Sequence, residues 1–99
     1  MKPKPPSGLS RGAKKLWTSL AAELEPLDAS GALMLDLLCQ TWDRREASRA
    51  VIEKEGPVTE DRFGQKKISP HAVVERDASL QILRCYHALG FDLAPENGV

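Results

Sequence analysis

Proline and glycine decide where this chain can be helical. Pro26 and Pro57 each end a helical pattern, and Pro70 opens one. Proline lacks the N–H a helix interior needs and disfavours helical geometry in the residue before it. Three helices fit between the breaks. Ser10 is placed to cap the first, where Ala13, Leu16, Trp17, Leu20 and Leu24 form one apolar stripe. Lys14, Lys15 and Thr18 fall outside that stripe, and Glu25-Pro26 ends the helix. Asp28 or Ser30 caps the second, which runs to about Glu55 and stops at Gly56-Pro57. At ~1.5 Å per residue it would be about 40 Å long. Its first half, Leu33 to Cys39, is apolar nearly all round and must be covered on more than one side. In its second half Leu38, Thr41, Arg45, Ser48 and Ile52 make a seam for a partner helix. Ser69 caps the third helix, with Pro70 at its first position. Val74, Ala78, Ile82, Cys85, Tyr86 and Leu89 are its buried face. Gly90 suits a left-handed cap, and Phe91 can fold back on Tyr86 in a Schellman closure.

The connection from Val58 to Ile68 has turn residues near its centre and β-formers near its ends, so it is a short hairpin or a plain loop. The expected fold class is all-α: a short N-terminal helix plus a long antiparallel helical hairpin. Residues 1–8, with Pro3, Pro5 and Pro6, read as an extended, mobile basic arm. Residues 9–91 form the helical domain, and residues 92–99 a loose tail. Ninety-nine residues make one thin core. Trp17 and the all-round apolar segment 33–39 ask for more cover than one such chain offers, which predicts an oligomer. Trp17, Leu20, Leu33, Leu37 and Trp42 are the expected interface.

Charge is balanced at 14 basic against 14 acidic residues, which argues against uniform coating of nucleic acid. The balance hides an alternation. Residues 1–22 carry Lys2, Lys4, Arg11, Lys14 and Lys15 and no acid. Residues 23–61 carry ten acids and four bases. Arg62, Lys66 and Lys67 follow without an acid, and residues 68–99 are acidic by two. A flexible basic arm beside a basic helix face is a common way to hold phosphates. Arg44, Arg45 and Arg49 form a third cluster, but Asp43, Glu46 and Glu53 can pair with them along the surface.

Catalytic signatures are missing: there is no phosphate-binding glycine loop, no GxSxG and no zinc-spaced cysteine set. Cys39 and Cys85 lie in apolar segments and read as core thiols of a reducing compartment. Cys85 and His87 are two apart on a helix and point to different faces, so no metal site is expected. Glu53, Glu55, Glu60 and Asp61 read as a solvated acidic patch. No apolar run approaches the ~20 residues that span a bilayer. The basic N-terminus leads into no hydrophobic stretch of a signal peptide.

Several pieces of the chain, in order, resemble one family. They are Leu9-Ser10 with Ala13-Lys14-Lys15-Leu16-Trp17 and Leu24; then Asp36-Leu37-Leu38-Cys39 with Trp42. Glu55-Gly56 with Val58, then Gly64, Ile68 and Pro70, come next, and Leu89-Gly90-Phe91 with Pro95 close the set. Over residues 9–95 the chain resembles the small subunit of a phage DNA-packaging terminase, of the type found in long-tailed phages and prophages. It departs from that pattern at Ser69-Pro70-His71, where the family commonly has His before the proline, and at Glu96-Asn97, where Arg is frequent. Many members of the family carry a further tail beyond the position of Val99.

The resemblance implies a regulator rather than an enzyme, without cofactor or metal. Such subunits form rings, recognise the packaging start on double-stranded phage DNA in the host cytoplasm, and present it to the terminase large subunit. The large subunit carries the ATPase and nuclease. On this reading Arg11, Lys14 and Lys15, with Lys2 and Lys4 in the arm, are the first DNA contacts, and Arg62, Lys66 and Lys67 the second. The competing reading is a small helical interaction module that docks on a protein through residues 33–42 and Trp17. A metal- or thiol-dependent enzyme would need Cys39, Cys85, His71 or His87 to converge.

Overall fold

The structure, a computed structural model, describes residues 4–91. Its elements run α1 (Arg11–Glu23), α2 (Ala29–Glu55), β1 (Val58–Glu60), β2 (Lys66–Ile68) and α3 (Pro70–Ala88). The helix ends follow the expected chemistry. Ser10 Oγ accepts from the Ala13 N–H at 3.1 Å. Of the two candidates for α2, Asp28 is the cap, accepting from the Gly31 N–H at 2.7 Å. Gly56, at φ +88°, closes α2 ahead of Pro57. Ser69, itself buried, caps α3 and accepts from the His71 N–H. At the far end the Gly90 and Phe91 N–H groups donate to the His87 and Tyr86 carbonyls at 2.9 and 3.2 Å. That is the Schellman pairing, and the Phe91 ring stacks on Tyr86 at 4.6 Å.

The connection is a β-hairpin, in the register Val58↔Ile68, Thr59↔Lys67 and Glu60↔Lys66. Its tip is a three-residue loop that ends on a left-handed glycine, Gly64 at φ +78°, a common hairpin connection. The Gly64 N–H donates to the Asp61 carbonyl and the Asp61 N–H to the Gln65 carbonyl. Strands of three residues leave no alternation to read, which is why loop and hairpin were equal expectations. The strands pair with each other and touch the helices little.

Helix α2 is the centre, and its neighbours lie antiparallel to it on two flanks. On one flank α1 is held by Trp17 Nε1, which donates to Asp36 Oδ1 at 2.8 Å. Ser10 donates to the Asp43 carboxylate through its N–H, at 2.9 Å, and through its hydroxyl. On the other flank α3 is held by Arg45 Nε donating to Ser79 Oγ and by Arg49 paired with Glu75, both at 2.8 Å. The seam of Leu38, Thr41, Arg45, Ser48 and Ile52 is therefore met by α3 of the same chain. Thr41, Ser48 and Ala78 are all buried small residues, and they let these two helices approach closely.

The core joins Leu9, Ala13, Trp17, Leu20 and Ala21 to Leu35, Leu38, Cys39 and Cys85. This corrects part of the surplus-surface argument. Trp17 is 2% exposed and Leu20 8%, so one chain covers both without a neighbour. The cause is the close seating of α1: Gly12 has no Cβ, and one placed there would stand 2.9 Å from the Trp42 ring. Trp42 is accordingly half-buried beneath α1. Leu33, at 71%, and Leu37, at 40%, do remain exposed. Pro5 and Pro6, within the expected arm, are half-buried, and Leu9 belongs to the core.

Two outcomes follow from this packing. Gly→Ala inside a helix ordinarily gains about 1 kcal/mol, but overpacking costs about 1–3 kcal/mol. Gly12→Ala is therefore expected to lower stability by on the order of 1 kcal/mol, read as a lower urea midpoint at unchanged slope. The Cys39 thiol is pushed up to about 12, first by burial and then by Asp36 and Asp43. With Cys85 also buried, neither thiol should react with an aromatic disulfide reagent at pH 8 until the protein is unfolded.

Candidate nucleic-acid interface

Helical spacing fixes one side of α1 to the core through Ala13, Trp17, Leu20 and Ala21. The same spacing turns Arg11, Lys14, Lys15 and Thr18 to the opposite side. All four are exposed. The first turn of α1 carries no acid, and its first acidic residue is Glu23. Among the described residues neither Lys4, Arg11, Lys14 nor Lys15 takes part in an ion pair. Lys4 is exposed as well. Lys2 lies outside the described residues, as does Pro95.

The positive end of α1 is already answered from within the chain. Asp43 accepts both hydrogen bonds from Ser10 there, and a carboxylate at a helix N-terminus satisfies its dipole. A phosphate has no reason to seat at that end. The three cations of the outward face stand apart from that end and are exposed.

The second expected cluster is equally exposed but lies elsewhere. Arg62, Lys66 and Lys67 all stand on the β-hairpin. Lys67 Nζ approaches Asp61 at 3.6 Å, and the Arg62 guanidinium lies over the Phe63 ring at 5.0 Å from its centre. Ser10 sits level with Asp43, and the hairpin begins after Gly56, so ~20 Å of α2 separates the two clusters. Within each cluster the cations come together; the two clusters do not merge.

The third arginine group divides as surface pairing predicts, with a partner the sequence did not point to. Arg45 meets Glu46 at 2.8 Å and Arg49 meets Glu53 at 3.8 Å. Arg49 also takes Glu75 from α3 at 2.8 Å. Asp43, a suggested partner, is engaged by Ser10 instead. Arg44 stays out of these pairs and borders a groove with Leu37, Thr41, Val74, Asp77, Ala78 and Gln81. The carboxylates Glu53, Glu55 and Glu60 are exposed, and Asp61 is engaged in the hairpin turn. Cys39 and Cys85 are buried while His87 is exposed. Among the described residues no three His, Cys, Asp or Glu side chains assemble as a metal site would require. Among them, too, no helix is long and apolar enough to cross a membrane.

Sequence reasoning did not single out the outer apolar residues of α3, Val73, Leu80 and Leu83, or Phe63 on the hairpin; all are exposed, as are Val58 and Ile68 at the ends of the connection. Leu80 and Leu83 were detectable as leucines off the buried stripe. Phe63 carried no such signal, because its position in the turn was unknown.

No match to this chain was found among curated proteins or solved structures. The family model described as phage terminase, small subunit, matches residues 13–99. The match takes in the basic face of α1 from Lys14 onward, all of α2, the hairpin and α3. It spans most of the chain, and so this protein belongs to the phage terminase small-subunit family.

Proposed function

We propose that this chain is the non-catalytic, DNA-recognising subunit of a phage packaging terminase. It binds double-stranded phage DNA in the host cytoplasm and presents it to the large ATPase and nuclease subunit. The observation that carries this reading is the outward face of α1, where Arg11, Lys14 and Lys15 are exposed, close together and free of ion pairs among the described residues. Cations in this state can neutralise DNA phosphates and so release the counterions condensed on the duplex. Lys2 and Lys4 extend the same charge, and Arg62, Lys66 and Lys67 supply a second contact along the duplex. These are positioning contacts with little base readout.

The chain works as a ring of identical copies. Leu33 and Leu37 support this, since both stay exposed on the apolar half of α2, Leu37 at the edge of the groove beside α3. A head-to-tail contact between copies closes into a ring when its rotation allows. The acidic stretches then face a neighbouring copy or the motor subunit, while the basic ones face DNA.

Two measurements test the reading. Replacing Arg11, Lys14 and Lys15 together by Gln should reduce the slope of log affinity against log salt by about 3, about one per lost phosphate contact. Unchanged affinity and slope would remove α1 from the DNA surface. In light scattering the protein should have the mass of several copies. The pair Leu33→Asp and Leu37→Asp should lower that mass to one chain with helical content retained. A stable monomeric parent protein would end the ring reading.

A further inference from the structure

Phe63 is the most exposed large apolar side chain among the described residues, at 74%. The turn does not need it. Asp61 supplies the turn's side-chain acceptor, taking the Phe63 N–H at 2.8 Å and the Gln65 N–H at 3.0 Å on Oδ1. Gly64 supplies the left-handed residue at φ +78°. The position between them accepts most residues, so the turn itself does not call for an aromatic. The hairpin has little contact with the helices, so the ring has no core to enter. With Val58 and Ile68 also exposed on its strands, the hairpin gathers three large apolar side chains outside the core, and such a grouping marks a contact surface.

Its surroundings say what the contact is. Arg62 covers the ring from one side at 5.0 Å. Lys66 and Lys67 follow on β2, and at ~3.3 Å of strand per residue they lie within ~10 Å of the tip. Against these three cations stand Glu60, paired across the strands with Lys66, and Asp61, engaged by the turn and by Lys67. Arg62 is in no ion pair among the described residues. An aromatic wedge flanked by an arginine and a short row of lysines suits a nucleic-acid duplex. The ring enters between base steps, the guanidinium lies in the narrow groove, and the lysines reach the bordering phosphates.

We propose that Phe63 is a wedge that the hairpin inserts from the minor groove between base pairs of double-stranded DNA. This rests on the DNA-binding reading above and adds a source of selectivity to it. Unstacking is easiest at pyrimidine–purine steps, so a wedge selects flexible sequence without hydrogen-bonding any base. The positioning contacts on α1 then need carry no sequence information.

The test uses the intact protein and short duplexes with 2-aminopurine beside a central TA or GC step, with dyes at the ends to report bending. The parent protein should raise 2-aminopurine fluorescence and shorten the end-to-end distance, more with TA than with GC. Phe63→Ala should abolish both signals and weaken binding about tenfold, the usual scale of a lost base–aromatic contact. The salt slope should not change, because no cation is removed. Phe63→Leu, which keeps an apolar wedge, should retain part of both signals. Lys66→Gln with Lys67→Gln should lower the slope by about 2 and keep the fluorescence change at saturation. Phe63→Ala with parental affinity and fluorescence would overturn the proposal. So would a Phe63→Ala protein that handles DNA normally and loses only its large subunit, which would make the tip a protein-docking site. If the parent protein bound no duplex at all, the DNA-binding reading itself would fall, and that arm is scored before any variant.

Discussion

Two carboxylates on α2 fix the seat of α1, and the core and the basic face both depend on that seat. Asp36 takes the Trp17 indole N–H, and Asp43 takes the backbone and hydroxyl of Ser10. A hydrogen bond to a charged acceptor contributes about 1.5–3 kcal/mol where it is shielded, as the part-buried Trp17–Asp36 bond is, and less where it is exposed, as the Ser10 pair is. These lock α1 in rotation as well as in place, with Gly12 permitting the close seat against Trp42. The apolar half of α2 is thereby covered on a second flank, and Leu35 and Cys39 become fully buried. The same lock sets which side of α1 meets solvent. The basic face and the hydrophobic core are two consequences of one orientation.

Charge is sorted by the same arrangement. Two of the cations on the α2–α3 flank, Arg45 and Arg49, are used inside the chain, tied to Glu46, Glu53 and Glu75. Such exposed pairs contribute little to stability, about 0–1 kcal/mol each. Their larger effect is to neutralise that flank. The cations of α1 have no such partners among the described residues, so the positive field gathers on one helix and on the hairpin. A chain of zero net charge thus presents two separated basic surfaces, ~20 Å apart along α2, with neutralised surface between them.

Much of this was legible before any coordinates. Ser10, Ser69, Gly56 and Gly90 mark helix ends by chemistry that acts within a few residues, and each end lies where that chemistry puts it. The Tyr86–Phe91 closure is equally local. The grouping of Arg11, Lys14 and Lys15 on one face follows from helical period alone. Other features depend on contacts across the chain. That Trp17 is covered by its own α2 could not be read from periodicity, because an apolar stripe does not say which molecule will cover it. The choice of Glu75 as a partner for Arg49 is of the same kind. So is Phe63, whose exposure depends on a hairpin too short to announce itself.

The sequence by itself determined the helices, their limits, the faces they offer and the family to which the chain belongs. These rest on backbone geometry, capping and residue order, all of which act locally or in one dimension. Only the tertiary structure decided how much apolar surface was left over. It placed α1 and α3 on separate flanks of α2, closed the core over Trp17 and Leu20, and left Leu33, Leu37 and Phe63 outside. Burial is a property of what lies opposite a side chain, and that is settled by how elements pack, not by their own pattern.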